Sequence, residues 1–392
     1  MKTVCVIGNF SGRNAGDNAI LENLLIDVSK QYPNTRFTVP TISEKFVNRA
    51  FGRFAVTAVP LMPWNASLKI FGVPTFRAIL NSDLVLVTDA VLFDHKFWNP
   101  IFNYLSTLSL ALPVARRKGI PVVLYNGSIG PIKRTYGENA LRKVINSMET
   151  VIVRDPESIA LLERLGIHHD RIILGADCAL NTPVAEAGRI REICRKEGIA
   201  PGKSGLISVN INSYIDTFMK KPGEGFGADA FKQTMAEILD KTIENLDVNL
   251  VFVVTQVMDS TISHEVVQRM ANRRRVSIVT NKKYTHNEIA GILSKADVHV
   301  GMRTHSIILA SATGTPVVCI VYRPKNRGYM QTIEQSDKSI EIEQFRYPDR
   351  LYRLIRKTFD DRENVRAKLK PVILREKENA WKSVGYLRRY LS

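Results

Sequence analysis

The residues best suited to chemistry are Arg303, Thr304, His305 and Ser306, which follow a short apolar strand and open a helix of small residues. The first turn of a helix offers backbone N–H groups and a positive dipole end, which suit a phosphate or a carboxylate. Arg303 would add a forked cation for the same anion, and His305 can transfer a proton near neutral pH. We therefore predict that this turn combines anion binding with proton donation, with Thr304 and Ser306 as substrate contacts.

Other strand ends supply polar groups, glycines or a second arginine, and ligands of open α/β sheets gather at such ends. The substrate-binding residues predicted there are Asn14, Gly16, Asp17, Asn18, Ser128, Gly130 and Asp177. Asp17 or Asn18 is expected to cap the helix after the first loop. That loop lacks the P-loop lysine and the dinucleotide spacing, so a long turn with a good cap is an equal alternative. Arg154 follows another strand and either binds an anion or pairs with Asp155 or Glu157.

Short β-branched runs alternate with amphipathic helical stretches along the whole chain. The predicted strands are 4–7, 84–87, 122–125, 151–153 and 172–174, then 206–209, 250–254, 276–279, 298–300 and 317–320. The predicted helices are 17–31, 156–165, 231–245, 263–273, 287–294 and 306–313, with a less clear one at 101–118. Nearly continuous apolar runs are typical of parallel strands that are buried on both faces. The pattern predicts an α/β protein with two Rossmann-like doubly wound domains.

Three segments follow from this alternation. We predict an N-terminal domain at 1–199, a C-terminal domain at 200–346, and a basic helical segment at 347–392 that packs back on the first domain. The linker candidate is 200–205, which is rich in glycine and contains a proline. The loop 220–227 holds three glycines and two lysines. We favour an ordinary surface connection for it over a lid above an anionic ligand.

Charge and composition exclude several classes of protein. The 392 residues carry 55 Lys+Arg against 38 Asp+Glu, a net charge of +17. A nucleic-acid partner is disfavoured because no helix-turn-helix, zinc or RNA-binding signature accompanies the charge. A solvated basic surface and a peripheral contact with an anionic membrane face both stay open. Four scattered cysteines, no membrane-length apolar run and no His-x-His or His-Glu-x-x-His spacing predict a cytoplasmic protein without a catalytic metal. A Gly-x-Ser-x-Gly elbow for acyl transfer is also missing.

Five motifs together resemble the polysaccharide pyruvyl transferase family. They are Asn14–Ile20, Ser128–Pro131, Val153–Ser158 with Leu165-Gly166, Gly175–Ala179, and Met302–Ala310 running through Gly314-Thr-Pro316 to Tyr322–Lys325. Their order along residues 4 to 330 is more specific than any one of them, and the Arg-x-His-Ser block is the strongest. After the strand 84–87, many members carry a glycine-rich turn. Here it reads Thr88-Asp89-Ala90, so side chains would occupy space that the glycines leave open.

The resemblance implies a fold similar to metal-independent glycosyltransferases of the GT-B type, with two domains facing a cleft. It implies that the domain at 1–199 is on the acceptor side and the domain at 200–346 is on the donor side. It implies phosphoenolpyruvate as a co-substrate, no other cofactor, and a sugar of a surface glycan or its lipid-linked precursor as acceptor. The family's arginines and histidine map onto Arg154, Arg303 and His305, which are therefore expected to be catalytic, and Lys325 and Arg327 could assist them. A nucleotide-sugar glycosyltransferase and a non-catalytic glycan-binding relative are the alternatives.

Overall fold

The computed structural model describes residues 1–61, 72–97, 104–213, 215 and 227–392. Its contacts divide the chain into two compact units. The first unit contains Met1–Gly12, Asp17–Asn181 and Glu376–Ser392, and the second contains Arg13–Gly16 and Thr182–Arg375. The proposed connection or lid at 220–227 lies outside the described residues apart from Gly227, as do residues 101–103 of one predicted helix.

The first unit is built on one parallel sheet in the order β3-β2-β1-β4-β5-β6-β7. Its strands are β1 Lys2–Ile7, β2 Thr35–Thr41, β3 Val56–Pro60, β4 Leu84–Val87, β5 Val122–Gly127, β6 Thr150–Val153 and β7 Ile172–Leu174. The helices that follow them in sequence are α1 Ala15–Gln31, α2 Glu44–Ala50, α3 Val73–Leu80, α4 Leu105–Arg117, α5 Thr135–Asn146 and α6 Pro156–Arg164. Strands β4, β5 and β6 are buried along their whole length because helices cover both faces of the sheet.

The second unit repeats this plan with the order β10-β9-β8-β11-β12-β13, again all parallel. Its strands are β8 Gly205–Asn210, β9 Val248–Val254, β10 Val276–Thr280, β11 Val298–Gly301, β12 Val317–Val321 and β13 Ser339–Glu341. The remaining helices are α7 Ala187–Lys196, α8 Ala228–Leu246, α9 Ser260–Arg269, α10 His286–Leu293, α11 Thr304–Ala312, α12 Pro324–Thr332, α13 Pro348–Asp360, α14 Arg362–Lys382 and α15 Arg388–Leu391. The predicted fold of two doubly wound α/β domains is confirmed.

The division of the chain into units does not follow sequence order for the first loop and the C-terminal segment. Residues 182–199 and 347–375 lie with the second unit, and the chain from Glu376 onward lies with the first. Arg13–Gly16 joins the second unit because its backbone bonds to the end of β9. Ala15 N–H donates to Thr255 O at 2.8 Å, and Val257 N–H donates to Arg13 O at 3.0 Å.

The prediction that Asp17 or Asn18 forms the N-cap of α1 is wrong. The helix begins at Ala15, so Asp17 and Asn18 fall within its first turn. Asn14 takes the capping position, where its Oδ1 accepts a hydrogen bond from Gly16 N–H at 2.9 Å. No helix among the described residues is long and apolar enough to cross a membrane.

Candidate active site at the crossover of the second sheet

The turn after β11 lies where the strand order of the second sheet reverses. Strands β8 and β11 are neighbours there, and the strands that follow each of them lie on opposite sides. Ligands of doubly wound sheets bind at the carboxyl ends of such a strand pair. Asn210, at the end of β8, holds the turn: its O and Oδ1 accept from Met302 N–H and Arg303 N–H, both at 3.0 Å. The predicted site residues therefore sit at the position that this topology favours for a ligand.

The N-terminus of α11 is left available to a ligand by the local hydrogen bonding. Arg303 occupies the N-cap position and makes no side-chain cap. Its carbonyl accepts from Ser306 N–H and Ile307 N–H at 3.0 and 3.2 Å, which closes the first turn. Thr304 Oγ1 is buried and has no hydrogen-bond partner among the described residues. This is the arrangement expected where an anion approaches a helix start.

The Arg303 guanidinium is held by a buried carboxylate. Its Nε and Nη2 donate to Oδ2 and Oδ1 of Asp259, each at 2.7 Å. Asp259 is fully buried, and its Oδ1 also accepts from the backbone N–H and the hydroxyl of Ser213 at 2.9 Å. The bidentate pair fixes the plane of the guanidinium and offsets its charge. The fork that we predicted for an anion thus faces Asp259, which sequence reasoning missed although it directly precedes α9.

His305 lies against the backbone of the first loop. A Cβ added at Gly16 would stand 2.2 Å from both Cγ and Nδ1 of the His305 ring, so only a glycine permits this approach. Because Arg13–Gly16 bonds to the end of β9, the loop forms a fixed wall beside the imidazole. Gly16, which was predicted to contact substrate, is therefore next to the predicted proton donor, and Asn14 lies in the same loop.

Ser306 belongs to an interior hydrogen-bond chain. Its hydroxyl donates to Arg303 O at 2.8 Å, so it accepts from Nε2–H of His299 at 3.0 Å. Nδ1 of His299 then accepts from Ser208 Oγ at 2.9 Å. Burial lowers the pKa of His299 to about 3, which keeps the ring neutral. His299 is thus a core histidine with both ring nitrogens hydrogen-bonded, and Ser306, which is fully buried, holds the start of α11 in place.

Lys325 and Arg327, the predicted helpers, lie on α12. Arg327 is exposed, and its Nε and Nη2 donate to Glu341 Oε1 on β13 at 2.9 and 2.7 Å. Lys325 is half-buried in the first turn of the helix. The side chain of Arg327 is thus directed to the sheet edge formed by β13.

Arg154 and Asp177 form a buried ion pair in the first unit. Arg154 Nη1 lies 2.7 Å from Asp177 Oδ2, and both side chains are less than a tenth exposed. Burial acts to lower the pKa of Arg154, but Asp177, Asp89 and Asp155 raise it above the usual value. Asp155, one of the alternative partners, caps α6 by accepting from Ser158 N–H at 2.8 Å. The structure thus joins two residues that were predicted separately.

The remaining predicted residues of the first unit occupy the same sheet edge, where the strands end. Asn9 Nδ2 donates to Asp17 Oδ2 at 3.2 Å, and Asn18 is buried with no partner for its Oδ1 among the described residues. Ser128 N–H donates to Asp89 O at 3.0 Å. Gly130 has a φ of 96°, which favours glycine.

Asp89, in the turn after β4, has a backbone conformation that glycine adopts readily. Its φ is 66°, in the left-handed region that aspartate tolerates better than most residues. The side chain is buried. The turn Thr88-Asp89-Ala90 therefore holds a buried carboxylate next to the end of β4.

Within the described ranges, no three His, Cys, Asp or Glu side chains converge closely enough to hold a metal ion.

Comparisons with known proteins agree with this architecture. A UDP-GlcNAc 2-epimerase from Neisseria meningitidis superposes with a TM-score of 0.65 at 12% identity, covering 100% of this chain and 99% of the epimerase. The HepE protein of Anabaena, crystallised with UDP, gives a TM-score of 0.59 at 15% identity, covering 99% and 98%. At this identity the likeness concerns the fold alone, which is that of GT-B glycosyltransferases and related epimerases.

Sequence comparison identifies the family. The sequence profile of polysaccharide pyruvyl transferases matches residues 14–324, which is most of the chain. The amylovoran biosynthesis protein AmsJ of Erwinia amylovora is 21% identical over 378 residues, covering 87% of this chain and 88% of AmsJ. The chain belongs to the polysaccharide pyruvyl transferase family, and the predicted recognition is confirmed. It is a transferase of polysaccharide biosynthesis.

Proposed function

We propose that the protein transfers a pyruvyl group from phosphoenolpyruvate to a sugar of a cell-surface polysaccharide or its lipid-linked precursor, on the cytoplasmic side of the membrane, and closes a cyclic ketal. Family membership supports the reaction class. The observation that carries the assignment to a site is the turn 303–305, where a carboxylate-held guanidinium, an uncapped helix start and an imidazole follow one another.

The donor is a small dianion or trianion, and the helix start fits it. Phosphate or carboxylate oxygens would accept from the first-turn N–H groups of α11 and from Thr304 Oγ1, which the described residues leave without a partner. Arg303 supplies positive charge from beside this position, and Asp259 prevents the guanidinium from rotating away. Because the guanidinium and the helix start are already fixed before the substrate binds, they need no reorganisation during the reaction.

The reaction then needs one proton donor at carbon. His305, as imidazolium, would protonate the methylene carbon of the enol, which places cationic character on C2. One sugar hydroxyl attacks C2 and loses its proton, which restores the imidazolium. The C2–O bond to phosphate then breaks, a second hydroxyl attacks, and its proton leaves with the phosphate. General acid catalysis of this kind contributes about 10²–10⁴-fold.

Phosphate release from phosphoenolpyruvate tests the role of His305. We expect His305→Ala to lower kcat about 10²–10⁴-fold with a small change in donor affinity, because the ring acts on the developing charge and not on the bound anion. His264→Ala is the matched control, since that exposed imidazole contacts only Ser260 O at 2.7 Å and lies outside the turn. Equal losses in kcat and donor affinity for His305→Ala would contradict the role of proton donor.

A donor titration separates this function from the main alternative. If phosphoenolpyruvate protects the protein from thermal unfolding and UDP- and GDP-sugars do not, the pyruvyl donor is supported. The reverse result would favour a nucleotide-sugar glycosyltransferase, and turnover of neither donor with lipid-linked sugars would favour a non-catalytic relative.

A further inference from the structure

The amino ends of the strands in the first unit form one continuous edge, called here the amino edge. All seven strands are parallel, so their first residues lie on the same side of the sheet. The helices return to that side, since α1 ends three residues before β2 and α4 ends four residues before β5. The last helix also reaches it, because Tyr390 OH lies 3.3 Å from Thr150 Oγ1 at the start of β6. Seven strands spaced by about 4.8 Å make this edge roughly 30 Å wide.

The amino edge is strongly basic. Its exposed cations include Lys30, Arg36, Arg117, Lys118, Arg388 and Arg389. Cations in the last turn of a helix also stabilise the helix dipole, which accounts for Lys30 and Arg117. That explanation does not extend to Arg36 at the start of β2.

The same row continues toward the other end of the sheet. Lys143 is exposed in the last turn of α5, and Arg164 is exposed at the end of α6. The basic residues therefore extend from β2 to the connection before β7. They outnumber the acids of the same edge, Asp83, Glu149 and Asp170, so the edge has an excess of positive charge.

Few of these cations are neutralised by a carboxylate. Within the described ranges, none of the side chains named above forms an ion pair, although Lys30 acts electrostatically on Asp27. Their other contacts are weak or local, such as Arg36 Nε to Met1 Sδ at 3.0 Å and Arg389 above the ring of Tyr390 at 5.2 Å. Most of the positive charge of the edge is therefore not offset by ion pairs.

The corresponding edge of the second sheet is built differently. Arg275 Nη2 lies 2.8 Å from Asp247, which precedes β9, and Arg362 and Arg366 lie 3.4 and 3.5 Å from Asp297, which precedes β11. There Arg275, Arg362 and Arg366 are paired with acids, whereas Arg273 and Arg274, directly before β10, form no ion pair within the described ranges. The second edge thus has part of its positive charge offset by neighbouring carboxylates.

We propose that the amino edge of the first unit docks on an anionic lipid surface. A wide basic edge fits a planar anionic bilayer by charge complementarity. Two exposed side chains, Met1 and Tyr386, flank the charges with apolar area. The Arg154–Asp177 pair lies at the opposite, carboxyl ends of the strands, so docking leaves that end of the unit accessible. The proposal does not depend on which donor the protein uses.

Vesicle co-sedimentation of the full-length protein tests the surface. We expect the protein to bind phosphatidylcholine vesicles that contain phosphatidylglycerol and not to bind vesicles of phosphatidylcholine alone. High salt should release the protein from the anionic vesicles. The combined variant Arg116→Gln, Arg117→Gln, Arg388→Gln and Arg389→Gln should lower partitioning more than about tenfold, since each cation near such a surface contributes about fivefold. All four side chains are exposed and unpaired among the described residues, so the fold should persist.

A matched variant in the second unit controls for net charge. Arg273→Gln, Arg274→Gln, Arg350→Gln and Arg353→Gln remove the same charge from exposed positions and should leave binding within about threefold. Equal losses in both variants would overturn the assignment to the amino edge. Preferential binding to duplex DNA or single-stranded RNA over the anionic vesicles, abolished by the first variant, would show that the edge serves nucleic acid instead.

Discussion

Replacement of Gly16 by alanine is the sharpest test of the wall beside His305. The backbone of Gly16 does not have a positive φ, so alanine is conformationally acceptable there. The new Cβ, however, would stand 2.2 Å from the ring, whereas ordinary contact begins at 3.4 Å. The ring or the loop must therefore move by about 1.2 Å. The loop is held by two backbone hydrogen bonds to the end of β9, so we expect the ring to move.

The size of the effect follows from that displacement. A misplacement of about 1 Å in a catalytic group can cost about 10²-fold in rate. Overpacking of this kind also costs about 1–3 kcal/mol of folding free energy. We therefore expect kcat to fall about 10²-fold while the melting temperature falls by only a few degrees.

Steady-state phosphate release and thermal melts measure both quantities. Gly188→Ala is the control, because a Cβ at Gly188 meets only Arg191 Nη2 at 3.9 Å. It should leave kcat unchanged. Wild-type kcat in a folded Gly16→Ala protein would refute the reasoning, since His305 would then tolerate displacement or take no part in the reaction.

Three further changes have defined outcomes. Arg303→Lys should lower kcat/KM about 10²-fold, because lysine cannot keep both hydrogen bonds to Asp259. The control is Arg189→Lys, which changes an exposed ion pair with Glu288 and should leave kcat/KM unchanged. Burial lowers the pKa of His299 from its ordinary value of 6.5 to about 3 in the folded protein. The unfolded chain therefore binds the proton first, and the free energy of unfolding should fall as the pH drops below 6.5, by about 2 kcal/mol at pH 5. Denaturant titrations at pH 7 and pH 5 should show a smaller loss for His299→Gln than for the wild type. Burial raises the pKa of Asp27 from 3.8 to about 7, so ionisation destabilises the fold as pH rises through that window. Asp27→Asn should therefore unfold at higher denaturant than wild type at pH 8, by about 2–4 kcal/mol, and no gain there would contradict the assignment.

The strands that sequence analysis found are those with continuous apolar runs. Strands β4 and β7 have the predicted bounds. Strand β2 was missed because Thr35-Arg-Phe-Thr-Val-Pro-Thr mixes polar residues and a proline into a strand next to the sheet edge. Strand β13 was missed because three residues, Ser339–Glu341, carry no periodic signal.

Those features of the site that are formed by consecutive residues were predicted from the sequence, whereas contacts between residues far apart in the chain were not. The order of residues in 303–306 indicated a helix start with an arginine and a histidine, and the structure places them so. The partners of the arginines could not be found locally: Asp259 is 44 positions before Arg303, and Asp177 follows Arg154 by a whole helix and strand. The close approach of Gly16 to His305 could not be inferred from a single sequence, where only the glycine itself is visible.

The assignment of Arg13–Gly16 to the second unit affects how the protein can be divided. A fragment that starts at Thr182 would keep all six strands of its sheet and both bonds between Arg303 and Asp259. It would nevertheless lack Arg13–Gly16, which includes the glycine against the imidazole, because that loop precedes Thr182 in the sequence. A cut at this position would thus separate the predicted proton donor from the residue that lies against its ring.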